Sequence, residues 1–399
     1  MRVRFVSTFE PATSFYRDLL PSLVAAGHDV ELVVSGAEYR EGRDSLGALR
    51  ADGVVVTRVP SPVASPRGAV QKLAVMVAFV TGTMARTGVG RSADLNVFFS
   101  TPPFFAAWGM VLRLVRRQPY VCVVQDVYPD VLILDEKLRA GGAPGRALHR
   151  LSRLTWRRAA GVVVIGRCMA ELVAAGGVPP ERIHLIRNWG HSAVGRGVAP
   201  RDSELRHELK AGDKFVVLYS GNLGLSHSFD EILEAARRLR RSHPEVLFVF
   251  IGAGRRRREV EDAKQRDGLD NIVLLPFQPA DRLAQTLSAG DVHFISLRTG
   301  FEGVVVPSKA YSALAAGRPL VYLGRVTGEI ARTIDEHAVG TVVAPGDVDG
   351  LVGAIVGYAG DPSRTSAASD RAAELVRGEL SAERSLAAWD TLLRSLCVR

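Results

Sequence analysis

The chain has 399 residues, 47% of them hydrophobic and 23% charged, with a formal net charge of +9. At roughly 100–200 residues per domain, two domains are expected, and the balance excludes a disordered, collagen-like or coiled-coil chain. Three cysteines, none at metal spacing, exclude a disulfide scaffold, and a basic chain of this kind has three classes of partner: nucleic acid, an anionic membrane surface or a phosphorylated small molecule.

Short apolar runs rich in β-branched residues alternate with amphipathic stretches. They predict strands over 2–8, 29–35, 54–59, 94–100, 120–125, 161–166 and 182–188. Such nearly continuous hydrophobicity marks strands buried on both faces of a parallel sheet. Helices fill most of the gaps; the first, SFYRDLLPSLVAAG, stops at Gly27 as a C-capped helix should. The stretch 190–213 is polar and predicts no strand. A second series follows over 215–221, 246–252, 272–277, 292–297, 320–324 and 340–343, and the last helix is expected over 382–397.

Two consecutive βα series predict an α/β protein of two facing Rossmann-like, doubly wound domains with an interdomain cleft. The divisions are placed at 1–195, 196–380 and a C-terminal helix, 381–399, packing back towards the first domain. The opening MRVRFVST runs directly into a strand, so no signal peptide is expected. No apolar run reaches the roughly 18–20 residues of a membrane span. Cys122 and Cys168 lie in apolar runs and are expected as small buried hydrophobes, compatible with a reducing cytoplasm.

Four stretches carry chemistry. In YSGNLGLSHSFDEIL a strand ends at Gly221, and Ser228 and Glu231 have capping-box spacing; free amides at such a turn hold anions, although a plain strand–helix turn explains the pattern equally well. In FEGVVVPSKAYSALAAGRP, Pro307 suits a first helical turn. Lys309 then adds a full charge at the partially positive helix end, a repulsion that an anion relieves. Only six of the chain's basic residues are lysine, which singles Lys309 out. Glu302 precedes it on a Gly-flanked loop. In VVQDVYPDVLILD, Asp126 and Asp130 fall just past a strand's carboxyl end, where turn chemistry is the competing explanation. Arg255–Arg258 is expected as a solvated face. The segment 70–86 together with Arg113, Arg116, Arg117, Arg146, Arg150, Arg153, Arg157 and Arg158 forms a basic, partly apolar surface suited to anionic headgroups, against ordinary amphipathic packing. No zinc-finger spacing, RNP-like aromatic motif or long basic helix points to nucleic acid.

Taken together, YSGNLG…SFDEILEAA, FVFIGAG, NIVLLPFQP, GDVHFISL, EGVVVPSK…LAAGRP and GEIA resemble glycosyltransferase family 4, nearest its WbuB-like branch. The segment VVVIGRCMAELVAAGGVPPERIHLIRNW is also similar to that branch. The resemblance implies the GT-B fold and transfer of a sugar, with retention, from a nucleoside-diphosphate sugar, UDP-sugars being the most frequent donors. It implies no metal and no cofactor beyond that co-substrate. The acceptor is a small molecule or a lipid-linked glycan.

The resemblance puts Glu302 on donor-sugar hydroxyls, and Lys309 with the amides around Ser308 near the diphosphate. Gly221, Asn222, Leu223 and His227 fall on the phosphate loop, and Phe277 and Gln278 near the nucleobase. Gly252, Gly303, Val304, Val305 and Ser312 complete the donor set. Asn222 and His227 stand where many members carry Arg and Lys, and Ser312 where many carry a second Glu, so diphosphate neutralisation shifts onto Lys309. The family's N-terminal Gly-Gly loop is replaced by FEPATSF. Acceptor candidates are Phe9, Thr13, Ser14, Tyr128 and Asp130, and Asp126 is a candidate to position acceptor or sugar.

Breaking the sugar–phosphate bond builds charge on the diphosphate. Preorganised amides and Lys309 are expected to stabilise it, while the phosphate oxygen serves as base for the acceptor hydroxyl. Competing expectations are a non-catalytic nucleotide-sugar-binding protein or partner subunit, and a nucleotide-sugar 2-epimerase. The epimerase needs a cleft His, for which only His227 qualifies. The chain is expected in the cytoplasm, in contact with no nucleic acid, and peripheral to the inner face of the membrane.

Overall fold

A computed structural model describes residues 1–8, 14–37, 45–64, 66, 68–139, 141–190, 194 and 197–397. The chain divides into two compact units. One holds Met1–Arg187, Gly303–Val305 and Ser385–Arg399; the other holds Asn188–Glu302 and Val306–Arg384. The first division thus comes ahead of the polar stretch rather than inside it. The reason is apolar: Val194 is buried and clusters with Leu287 and Ala316 of the second unit.

In the first unit the chain runs β1 (Arg2–Ser7), α1 (Ser14–Ala25), β2 (Asp29–Ser35), α2 (Ser45–Ala51), β3 (Val55–Val59), α3 (Ala69–Val89) and β4 (Leu95–Phe99). It continues through α4 (Ala107–Arg116), β5 (Tyr120–Val124), α5 (Asp130–Leu134), α6 (Ala143–Arg158), β6 (Gly161–Val164), α7 (Arg167–Ala175) and β7 (Ile183–Leu185). The seven strands are parallel, in the order β3-β2-β1-β4-β5-β6-β7. Strands β4 and β5 are buried at every position, as their unbroken hydrophobic sequences require. Cys122 and Cys168 are buried. Gly27 takes a φ of +88°, which lets the chain leave α1 and enter β2.

The second unit begins with α8 (Glu204–Glu208), then β8 (Phe215–Ser220), α9 (Asp230–Ser242), β9 (Val246–Ile251), α10 (Arg257–Asp267), β10 (Ile272–Leu275) and α11 (Leu283–Ser288). It proceeds through β11 (Val292–Ser296), α12 (Lys309–Ala315), β12 (Leu320–Leu323), α13 (Glu329–His337), β13 (Gly340–Val343), α14 (Val348–Ala359) and α15 (Pro362–Arg377). Its six strands are also parallel, ordered β10-β9-β8-β11-β12-β13. The core on one side of this sheet joins Tyr219, Phe248, Phe250 and Phe294 to Phe229, Ile232 and Leu239 around α9. α16 (Ala382–Cys397) ends the described chain. From Ser385 it belongs to the first unit: the Trp389 ring lies 6.4 Å from Phe5, His28 bonds Asp390 at 2.7 Å, and Arg394 donates to Ala26 O at 2.6 Å.

Both sheets share one topology. The strand order runs outward in one direction, returns to the centre, and runs outward in the other. This opens a crevice at the carboxyl ends of the two central strands, β1 and β4 in one unit, β8 and β11 in the other.

Candidate active site

In the second unit, the loop after β8 and the segment after β11 meet at that crevice. Gly221 follows β8 with φ +143°, a conformation that L side chains rarely adopt. A Cβ there would lie 3.3 Å from Lys309 Cε, so glycine also leaves room for the lysine stem. Beside it, a Cβ on Gly252 would come within 2.0 Å of Gly221 O. The two glycines therefore let the loops after β8 and β9 run in contact.

Lys309 is the first residue of α12. Its Nζ donates to the Tyr219 hydroxyl, to His227 Nε2 at 3.1 Å and to Asn222 O at 3.3 Å, and lies 3.9 Å from the Tyr219 ring centroid. The Tyr219 hydroxyl in turn donates to Asn222 O at 2.7 Å. Burial pushes the Lys309 ammonium well below its ordinary range. The expected relief of its charge by an anion is thus prefigured by three oxygen and nitrogen acceptors of the chain itself.

His227 is buried, and its Nδ1 lies 2.5 Å from the carbonyl oxygen of Ser296. A carbonyl only accepts, so Nδ1 carries the proton and Nε2 offers its lone pair to Lys309. Burial first, then the Lys309 charge, drives the imidazole pKa down to about 3. The ring is therefore a neutral acceptor at physiological pH. Both nitrogens are occupied, which leaves no proton to shuttle in the manner an epimerase would need.

Glu302 ends the second unit's first segment. Its Oε2 accepts from Gly300 N at 2.7 Å, while its Oε1 is buried and finds no donor among the described residues. An unsatisfied buried carboxylate oxygen costs free energy unless a ligand donates to it. A sugar hydroxyl is such a donor.

The remaining donor candidates fall around this nucleus. Leu223 is buried and Asn222 exposed on the same loop. Phe277 is exposed after β10, and Gln278 donates to Pro276 O at 3.0 Å. Ser308 caps α12 without a side-chain bond, and Ser312 is half-buried one turn on. Gly303, Val304 and Val305 stand apart: they belong to the first unit, where Val127 N donates to Val304 O at 2.9 Å and Val305 bridges Asp126. The capping-box expectation needs correcting. The Ser228 hydroxyl bonds Glu231 directly at 2.6 Å, and α9 starts at Asp230 with Phe229 as an uncapped N-cap. Glu231 is spent instead on Gly346 N at 3.1 Å.

Arg255–Arg258 also departs from a uniform solvated face. Arg256 donates to His227 O and lies 5.6 Å over the Phe229 ring. Arg257 donates to Leu275 O at 2.8 Å. Arg258 is exposed, as expected. Four like charges in a row concealed two that brace the loops. Tyr219 was also missed, since a tyrosine inside a strand reads as core. The signal was its place as the next-to-last residue of β8.

In the first unit, Asp126 lines a cavity of about 40 Å³ with Phe99, Phe104, Tyr128 and Trp156. Its amide bonds Ser100 Oγ at 3.2 Å, and burial raises its carboxyl pKa to about 6. Burial likewise pushes Tyr128 up to about 12. Asp130 opens α5 and faces His149 at 3.7 Å. Phe9 and Thr13 lie outside the described residues, as does the side chain of Ser14.

Two family models match the chain: a glycosyl transferase 4-like domain over residues 12–189, and glycosyl transferases group 1 over residues 200–374. The chain belongs to glycosyltransferase family 4. WcaI of Escherichia coli (strain K12), named as a glycosyl transferase of colanic acid biosynthesis, is 27% identical over 85% of this chain and 86% of that protein. Among solved structures, Anabaena HepE in complex with UDP and glucose is 16% identical, with a TM-score of 0.75 over 99% of this chain and 100% of that one. Sucrose-phosphate synthase from Thermosynechococcus elongatus is 17% identical, with a TM-score of 0.78 over 99% of each chain. This family 4 member thus has the GT-B fold of two Rossmann-like domains, and it is a glycosyltransferase.

Proposed function

We propose that this glycosyltransferase moves a hexose from a nucleoside-diphosphate sugar, UDP-linked, to an acceptor hydroxyl with retention at the anomeric carbon. The carrying observation is Lys309 Nζ at the carboxyl ends of β8 and β11. A diphosphate entering there exchanges neutral acceptors for anionic oxygens, so that both members of each bond carry charge. The oxygen of Glu302 that lacks a donor takes a donor-sugar hydroxyl. UDP in the complex of the similarly folded HepE supports the choice of base.

As the sugar–phosphate bond lengthens, negative charge grows on the diphosphate. Lys309 is already fixed where that charge develops, so little reorganisation is needed. Glu302 orients the ring. The acceptor hydroxyl attacks from the leaving-group face and passes its proton to the departing phosphate oxygen. Asp126 positions the acceptor, a lipid-linked glycan or a small hydroxylated metabolite. No further cofactor is required. The protein works in the cytoplasm, in peripheral contact with the inner face of the membrane.

Calorimetric titration with UDP, GDP and dTDP tests the donor. UDP should bind in the micromolar range, and Lys309→Met, which keeps the stem packed on Tyr219, should weaken it about 100-fold. Folded protein that binds none of the three overturns the reading.

A further inference from the structure

A cavity of about 420 Å³ lies within the second unit. It opens where α12 gives way to the amino end of β12, at the sheet edge opposite the donor crevice. Residues 315–318 form one wall, the loop 197–199 a second, and α15 from 369 to 377 a third. α15 packs on α12. Small residues leave the space between them: Gly197, Ala199, Ala316, Gly317, Ser369 and Ala373 all line it. The loop is fastened to the rest. Val198 N donates to Ser288 Oγ at 3.1 Å, Arg318 Nη2 donates to Val198 O, and a Cβ on Gly197 would collide with Ala316 O. Its volume falls within the roughly 300–1,000 Å³ of small-molecule pockets.

The cavity has an unbalanced cation. Arg318 is 8% exposed and lines it. Among the described residues only its Nη2 has an acceptor, Val198 O, and its Nε is buried with none. Asp291, whose charge acts on it, is taken by Arg206 at 2.9 Å and by Val216 N at 2.7 Å. Burial lowers the Arg318 pKa to about 10, which leaves the guanidinium charged at neutral pH. A buried charge is ordinarily paired and fully hydrogen-bonded. A second guanidinium, Arg377, stands on the α15 wall, exposed, with its Nε on Ala373 O at 3.1 Å.

The other polar groups of the lining accept. Asp370 is its one carboxylate. Pro319 has no N–H to offer Ala315 O, and Leu320 N is spent on Val339 O, so the last carbonyls of the α12 turn, Ala315 and Ala316, have no helical donor.

We propose that this cavity binds an acidic monosaccharide, phosphorylated or carboxylated, at a second site separate from the donor crevice. The acidic group meets Arg318 and Arg377, whose planar forks suit phosphate and carboxylate alike. Ring hydroxyls donate to Asp370 and to the carbonyls that end α12. A bare anion would leave those acceptors unused, and a neutral sugar would leave Arg318 uncompensated. The seven residues of α12, about 10 Å of helix, separate the cavity from Lys309. The site therefore stands or falls independently of the donor reading.

Calorimetric titration of the full chain with glucose 6-phosphate, glucuronate, glucose and inorganic phosphate tests it. One acidic sugar should bind about tenfold or more tighter than glucose or phosphate, the gain expected of a hydrogen bond to a charged group; the tighter of the two names the acid. Arg318→Lys keeps the charge without the fork and should weaken binding about tenfold. Arg377→Gln, at an exposed helix end, should do the same and keeps the test decisive if the Arg318 variant does not fold. Ser369→Phe fills the cavity, leaves both cations in place and should abolish binding. Arg377→Gln and Ser369→Phe should keep their UDP affinity, and Lys309→Met should keep its affinity for the acidic sugar.

Binding that survives Ser369→Phe, or that is lost in Lys309→Met, overturns the proposal. So does glucose or phosphate binding as tightly as both acidic sugars. A chain that binds UDP and neither acidic sugar sinks this site alone. A chain that binds an acidic sugar and none of the three nucleotides supports the site and sinks the donor reading.

Discussion

The two units build their sheets on the same plan and furnish the carboxyl ends oppositely. After β8 and β11 come a lysine, a neutral histidine and a carboxylate with one free oxygen. After β4 and β5 comes a cavity lined by aromatic rings and by the Asp126 carboxyl, which burial holds partly protonated. Topology supplies a crevice in both cases; the residues at its rim decide what enters. A diphosphate needs a preset cation, which the second unit has. A lone buried Asp repels anions but accepts from a neutral hydroxyl, which suits an acceptor.

Glu302→Gln tests the first half of that contrast most severely. The amide keeps the size of the side chain and loses the charge facing the sugar. Turnover should fall about 10²- to 10³-fold, while UDP affinity measured by calorimetry stays within about twofold. A matching loss of UDP affinity would place the carboxylate on the nucleotide side instead.

Asp126→Asn tests the second half. A carboxyl with a pKa raised to about 6 holds its proton longer folded than unfolded. The folded state then binds more protons between about pH 4 and 6, so stability falls as pH rises through that window and stays low above it. The penalty at pH 8 is on the order of 3 kcal/mol. The neutral amide should raise Tm at pH 8 by several degrees, leave it nearly unchanged at pH 4, and slow turnover. A variant of unchanged Tm at pH 8 would mean that the carboxylate is already solvated.

The contrast was only partly legible in the sequence. All thirteen strands of the described residues appear where β-branched apolar runs predicted them, because strands buried on both faces leave an unbroken hydrophobic trace. The last helix, Ala382–Cys397, also has its expected bounds. Lys309 and Glu302 stood out by charge in an apolar, glycine-flanked context. What the sequence concealed depends on side-chain direction across the fold. Tyr219 and His227 meet Lys309 from residues 82 or more positions away. Ser228 turned to Glu231 rather than to a helix amide because the helix starts at Asp230. Gly303–Val305 lie next to Glu302 in sequence and yet pack against Val127.

His227 gives a further handle, with the opposite sign to Asp126. Its folded pKa of about 3 lies below the ordinary 6.5, so the unfolded state binds the extra proton. Its contribution to stability is fully present above about pH 6.5 and is lost as pH falls towards 3. By pH 5 the loss should be about 2 kcal/mol. Thermal melts of His227→Asn against the unaltered chain, from pH 4 to 7.5, should converge as the pH drops. Parallel curves would mean that Nε2 is already protonated or open to water.

The smallest effect concerns the lysine itself. Burial lowers the Lys309 pKa in the unliganded chain, and a diphosphate beside it favours the ammonium and moves it back up. Binding should therefore take up protons wherever the free lysine is less protonated than the bound one. Calorimetry of UDP at pH 8.5 in two buffers of different ionisation enthalpy reads this directly: the apparent binding enthalpies should differ by a fraction of the buffer difference, with the sign of uptake. Lys309→Met should abolish the difference in whatever binding remains. Uptake that persists in the variant would move the proton to another group on the nucleotide loop and leave Lys309 charged throughout, held by Tyr219 and His227 alone.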